Sequence, residues 1–188
     1  MDKRENELVK KASLGNHQAF ASLVSLYGKK IYNFCYRMLQ EKEDTQDATQ
    51  ETFIRVWENL PQYDNSRKPF ISWMLTIAAH ICIDWLRKRQ KENNLYPPHS
   101  TLPQEKSSTN APLSPEEEFI YSEEKEILLL FMQQLPPLQK AIFSLCDIDG
   151  FSPDEVMEIL HLSKDQIKSN RYHAKQKLKR LIKEHYER

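Results

Sequence analysis

Three glycines in 188 residues, no net charge and no long apolar run set the first limits on this chain. So little glycine, with few alternating apolar and polar stretches, leaves no convincing strand and argues for an all-α protein. Neither a glycine-rich phosphate loop nor a nucleophile elbow is present, so the sequence implies no enzyme, cofactor or small-molecule substrate. No apolar run approaches the roughly 18 residues of a membrane span, and the N-terminal MDKRENELVKK lacks the hydrophobic stretch of an export signal. The expectation is a cytoplasmic protein with no direct membrane insertion. Cys35, Cys82 and Cys146 are odd in number and sit among apolar neighbours. They read as buried free thiols, with redox sensing as the alternative.

Charge is balanced overall, 27 basic against 27 acidic residues, but it is not evenly spread. From Lys164 to Arg188 nine Lys or Arg face three acids, whereas from Glu105 to Glu126 seven Glu face two Lys. That segregation predicts separate surfaces with separate partners.

The C-terminal segment carries two helix-start signals, Ser152-Pro153-Asp154-Glu155 and Ser163-Lys164-Asp165-Gln166, one short helix apart. In each, the serine hydroxyl accepts from the third backbone N–H while Glu or Gln reaches back to the cap, which spells a helix-turn-helix. Its second helix sets Lys164, Lys168, Arg171 and Lys175 beside an apolar row of Ile167, Ala174, Leu178 and Leu181. One side packs and the other meets phosphates.

Helical patterns run from Glu5 to Ser13, Gln18 to Leu39, Glu43 to Asn59 and Pro69 to Arg89. Residues 93–115, with five of the ten prolines and many Ser, Thr and Asn, read as a flexible interdomain linker. Helix is predicted to resume at Ser114 and to break at Pro136-Pro137, giving a C-terminal unit of four helices. In the first unit, Asp44, Asp47 and Glu51 form an acidic stripe opposite Ala48, Thr52, Phe53, Val56 and Leu60. The stripe suits either solvent or a basic partner helix, and a metal is not expected there. The apolar helix from Pro69 must bury most of its girth, which leaves Trp73 near its start as the aromatic for a nucleic acid.

Residues 47–57 (DATQETFIRVW), Phe70-Ile71-Ser72-Trp73 and residues 77–88 closely resemble bacterial sigma factors of the extracytoplasmic-function (ECF) group. Leu135-Pro136, Phe143, Gly150-Phe151-Ser152, Glu155-Val156, Ile159-Leu160 and residues 163–169 resemble that group's promoter-binding helix-turn-helix. The resemblance implies two small helical domains, 1–92 as sigma region 2 and 116–188 as sigma region 4, joined by the 93–115 linker. It further implies that Asp44, Asp47, Gln50, Glu51 and Arg55 bind core RNA polymerase. Minus-ten DNA would fall to Tyr63, Asn65, Arg67, Lys68, Trp73, His80, Arg87 and Lys88. Minus-thirty-five DNA would fall to Lys164, Lys168, Ser169, Arg171, Tyr172, His173 and Lys175. Core polymerase, promoter DNA and an anti-sigma factor are the implied partners. With only a short segment before the first domain, inhibition is expected from another protein.

Three positions depart from the family pattern. His80 stands where an Asn is usual, His161 replaces the turn glycine, and Asn170-Arg171 replaces Arg followed by an aliphatic. Two other readings compete. A dimeric helix-turn-helix regulator with a helical sensor domain would need a dimer seam that the sequence does not offer. A di-iron enzyme built on Glu158 and His161 would need a second Glu-x-x-His and two further Glu, and no second copy exists.

Overall fold

The computed structural model describes residues 3–66, 68–95 and 123–187. Among them are α1 (Lys3–Ser13), α2 (His17–Leu39), α3 (Lys42–Asn59), α4 (Phe70–Leu95), α5 (Glu123–Met132), α6 (Pro137–Phe143), α7 (Pro153–Leu160) and α8 (Lys164–Tyr186). A 3-10 turn at Leu60–Gln62 follows α3 and a π turn at Ser144–Ile148 follows α6. No strand occurs among the described residues, and the fold is all-α as expected. Helix α4 runs on to Leu95, past the expected end at Arg89, so residues 93–95 of the expected linker are helical. The predicted helix start at Ser114 lies outside the described residues.

Local chemistry sets the helix ends. The Asn16 Oδ1 accepts from the Ala19 N–H at 2.9 Å to start α2, and Gln40 ends it in the left-handed region with φ 57°. Helix α6 starts on the proline pair, where a missing N–H leaves no bond unmade. The π turn was not legible in the sequence. Its wider winding still satisfies its backbone, with the Asp149 N–H donating to the Ser144 carbonyl at 2.9 Å.

Helices α1 to α4 form the first unit, and the stripe opposite the acids, Ala48, Thr52, Phe53, Val56 and Leu60, is buried as predicted. Helices α5 to α8 form the second, where Phe131, Met132 and Leu135 pack on Ala174 and Leu178. The two units share a core. Buried apolar side chains run without a break from Phe34, Met38, Leu75, Ala78 and Cys82 into Ile142, Leu145, Val156 and Ile159. Each such large side chain contributes about 2 kcal/mol by leaving water, so the junction is an integral part of the fold.

Polar groups cross the junction as well. Arg37 of α2 donates from Nε to the Ser144 Oγ at 2.6 Å and from a terminal nitrogen to the Asp149 Oδ2 at 2.5 Å. Both members of that ion pair are about seven-eighths covered, at 13 % side-chain exposure each. Burial lowers the Arg37 pKa and raises that of Asp149, and their mutual attraction counters both shifts. Lys140 is 4 % exposed and donates to the Met38 carbonyl at 3.1 Å, with its pKa pulled down to about 8 by burial. Gln40 donates to the Leu129 carbonyl at 2.6 Å and accepts from Gln133 at 2.6 Å.

Phe70–Glu92 is long and apolar enough to cross a membrane by length and composition. It is the central helix of the first unit instead, with 56 % of its most apolar window buried. All three cysteines are free and buried.

Candidate polymerase and promoter interfaces

The outward row of α3 is only partly open. Asp47 and Gln50 are exposed, Glu51 is tied one turn along to Arg55, and Ile54 beside them is 49 % exposed. Asp44, expected in the same stripe, is half-buried and held by Arg89 of α4. That pair joins two helices of the first unit, so Asp44 serves the fold.

Beside this row lies an open hollow of about 420 Å³, lined by Arg55, Asn59 and Gln62 on one side and Trp73, Thr76, Ile77 and His80 on the other. Trp73 is half-buried. Its ring leans on Tyr63 at 4.9 Å and on Phe70 at 5.7 Å, which fixes the indole at the hollow's edge. Tyr63 donates its hydroxyl to the Lys68 carbonyl at 2.8 Å, and burial pushes its pKa up to about 12. Tyr63 therefore braces the loop and the indole rather than reaching outward. Lys68 donates from Nζ to the Thr76 Oγ1 at 3.1 Å, and Asn65 is exposed at the loop's turn. Arg67 lies outside the described residues. Arg87 and Lys88 are exposed, with Asp84 at 3.9 Å from Arg87 and Glu92 at 4.0 Å from Lys88. His80 is exposed at the hollow's rim, its Nδ1 2.7 Å from the Thr76 carbonyl. A carbonyl only accepts, so that nitrogen carries the proton and Nε2 is the basic site.

Both capping boxes of the helix-turn-helix are made. The Ser152 Oγ accepts from the Glu155 N–H at 3.3 Å while the Ser152 N–H donates to the Glu155 Oε2 at 2.8 Å. Ser163 and Gln166 repeat the exchange at 3.3 and 2.9 Å. Between them His161 takes the left-handed conformation, φ 53° and ψ 47°, that a glycine adopts more easily.

On α8, Ile167, Ala174 and Leu178 are buried and Lys168, Ser169, Tyr172 and His173 are exposed. Arg171 and Lys175 were expected on phosphates. Instead Arg171 grips Asp147 of the π turn with two hydrogen bonds, 2.9 and 2.7 Å, and Lys175 meets the same carboxylate at 2.8 Å. Burial pushes the Asp147 pKa up, but the two cations outweigh it and the net shift is downward. Lys164 sits 3.2 Å from Asp154 at the start of α7. The Glu-x-x-His pair forms no common site, because the His161 ring stacks on His80, and among the described residues no group of three metal-binding side chains converges. Sequence reasoning missed Asn59 and Gln62 in the hollow, and Arg37 and Lys140 at the junction. Nothing local marks these four, since their roles come from residues far along the chain.

Comparison with known families decides the kind of protein. The model of Sigma-70 region 2 matches residues 23–92 and that of Sigma-70 region 4 matches residues 125–178. The chain is an ECF sigma factor. It is 28 % identical to the ECF RNA polymerase sigma factor SigW of Bacillus subtilis over 186 residues, covering 94 % of this chain and 95 % of SigW. SigM of the same organism is 29 % identical over 163 residues, covering 85 % and 92 % of the two chains. Among solved structures, CnrH in complex with the cytosolic domain of CnrY has a TM-score of 0.68 at 21 % identity, covering 96 % of this chain and 98 % of CnrH. RpoE in complex with the anti-sigma factor NepR from Bartonella quintana also has a TM-score of 0.68, at 19 % identity, covering 87 % and 96 %. Sigma factors are non-enzymatic initiation factors that bind core RNA polymerase and promoter DNA. Residues 23–92, which the dimeric-regulator reading would take as a sensor domain, match Sigma-70 region 2 instead.

Proposed function

We propose that residues 1–92 seat the polymerase and engage minus-ten DNA, that residues 116–188 read minus-thirty-five DNA, and that residues 93–115 join them. The exposed Asp47, Gln50 and Arg55 of α3 and the half-buried Glu51, with Ile54 among them, form the docking row for the core enzyme. The observation that carries the minus-ten assignment is the hollow between α3 and α4, where one braced indole meets a wall of polar side chains. A flipped base finds there an aromatic face for its ring and donors or acceptors for its edge. Asn65, Lys68, Arg87 and Lys88 flank it, with Tyr63 acting through Trp73. On α8, Lys168, Ser169, Tyr172 and His173 face outward for base edges and phosphates, and Lys164 adds a phosphate contact.

This division needs binding energy and no catalysis. Unpairing costs a few kcal/mol per base, offset by capture of the flipped base and by polymerase contacts. The protein acts in the cytoplasm without enzymatic activity of its own, and an anti-sigma factor restrains it, as the complexed neighbours suggest. Replacing Trp73 by Ala in holoenzyme tests the assignment. Open-complex formation should fall at least about tenfold, the equivalent of 1.4 kcal/mol of lost stacking, with unchanged affinity for core enzyme. Unchanged promoter melting would remove Trp73 from the role.

A further inference from the structure

The two positions at which single histidines break the family pattern meet each other. His80 of α4 and His161 of the α7–α8 turn stack across the junction, with ring centroids 5.9 Å apart and planes 18° from parallel.

His80 also lines the hollow assigned to the flipped base, so the turn that carries His161 stands against one wall of that hollow. Beneath the rings, the Arg37–Asp149 pair, the Lys140 bond to the Met38 carbonyl and the shared apolar core hold the second unit on the first. We propose that the free protein holds its two promoter-reading units together in a closed form, with the His80–His161 stack at the mouth of the base-reading hollow, and that protonation of His161 shifts the protein toward an open form.

Cations surround the pair. Lys68 reaches Thr76, one turn before His80 on α4, and Arg55, bound to Glu51, lines the hollow from α3. Glu158 on α7 offsets part of the Lys68 charge, and Asp84, one turn beyond His80, has Arg87 3.9 Å away. Burial, then Lys68 and His80, hold the His161 pKa below its usual value. The closed form therefore binds fewer protons than an open one. Its advantage is complete above the ordinary histidine range and is lost as pH falls through that range, by at most about tenfold per pH unit for each extra proton taken up. Lys140 stays charged below its pKa of about 8 and adds nothing in that window, while Asp149, raised by burial, acts in the opposite sense.

Single-molecule energy transfer on the free full-length protein tests this, with dyes on unnatural amino acids at the exposed positions Glu58 and Gln176, so that the buried cysteines stay intact. The ratio of open to closed molecules should rise about tenfold between pH 7.5 and 5.5. His161→Gly should flatten that response. His161→Asn, which also tolerates the left-handed backbone, should do the same, and circular dichroism checks that both variants are folded. A ratio that does not change with pH in the natural sequence, or that changes equally in both variants, overturns the proposal. The conformational claim stands on the junction contacts, and only its consequence for DNA rests on the assignment of the hollow. Failure of the pH response would leave the Trp73 test untouched.

Discussion

The acidic row of α3 and the basic row of α8 look alike in sequence and are used alike in the fold. Each has one end tied down and one end open. On α3, Asp44 is held by Arg89 while Asp47 and Gln50 stand exposed. On α8, Arg171 and Lys175 converge on Asp147 while Lys168, Ser169, Tyr172 and His173 face outward. A charged stripe is therefore not a uniform binding face. Its anchored residues position the helix, and its open residues are available to a partner.

The anchored end of α8 gives the largest expected effect. Asp147→Ala leaves two cations without their carboxylate and should lower stability by about 2 kcal/mol in urea unfolding. The same change should strengthen non-specific DNA binding, because Arg171 and Lys175 are released toward phosphates. A loss of both stability and DNA binding would mean that Arg171 and Lys175 need Asp147 to reach DNA, and the contrast between anchored and open residues would fail on α8. The Asp147 pKa is lowered in the fold, so its contribution is complete above the ordinary carboxylate range and disappears as pH falls through the lowered value. Asp147→Asn should flatten that acid limb of the stability curve.

The open end of α3 comes next. Asp47→Lys should weaken binding to core enzyme about tenfold, read by competition for core polymerase, while stability stays within about 0.5 kcal/mol. Asp44→Asn should show the reverse, a loss of stability with little change in core affinity. On α8 the smallest effect separates two lysines. Lys168→Ala should reduce the salt dependence of promoter binding by about one phosphate contact, and Lys175→Ala by less, since Asp147 already engages it.

Much of this was legible because it is local. The capping boxes at Ser152 and Ser163, the buried stripe from Ala48 to Leu60 and the apolar face of α8 all follow from residues three or four apart. What escaped the sequence depends on distant partners. Nothing near Lys140 shows that its ammonium will be buried against the Met38 carbonyl, and nothing near Arg37 points to Asp149. The charge segregation suggested two separate surfaces, and the shared core joins the units that carry them. The π turn, which sets Asp147 under α8 and Asp149 against Arg37, has no sequence signature of its own.

Reconstitution with core RNA polymerase, followed by mapping of transcription start sites on genomic DNA, tests the central claim most directly. The account predicts discrete starts that depend on this protein and disappear when the open residues of α3 are reversed in charge. Starts no more frequent than those of core enzyme alone would contradict it.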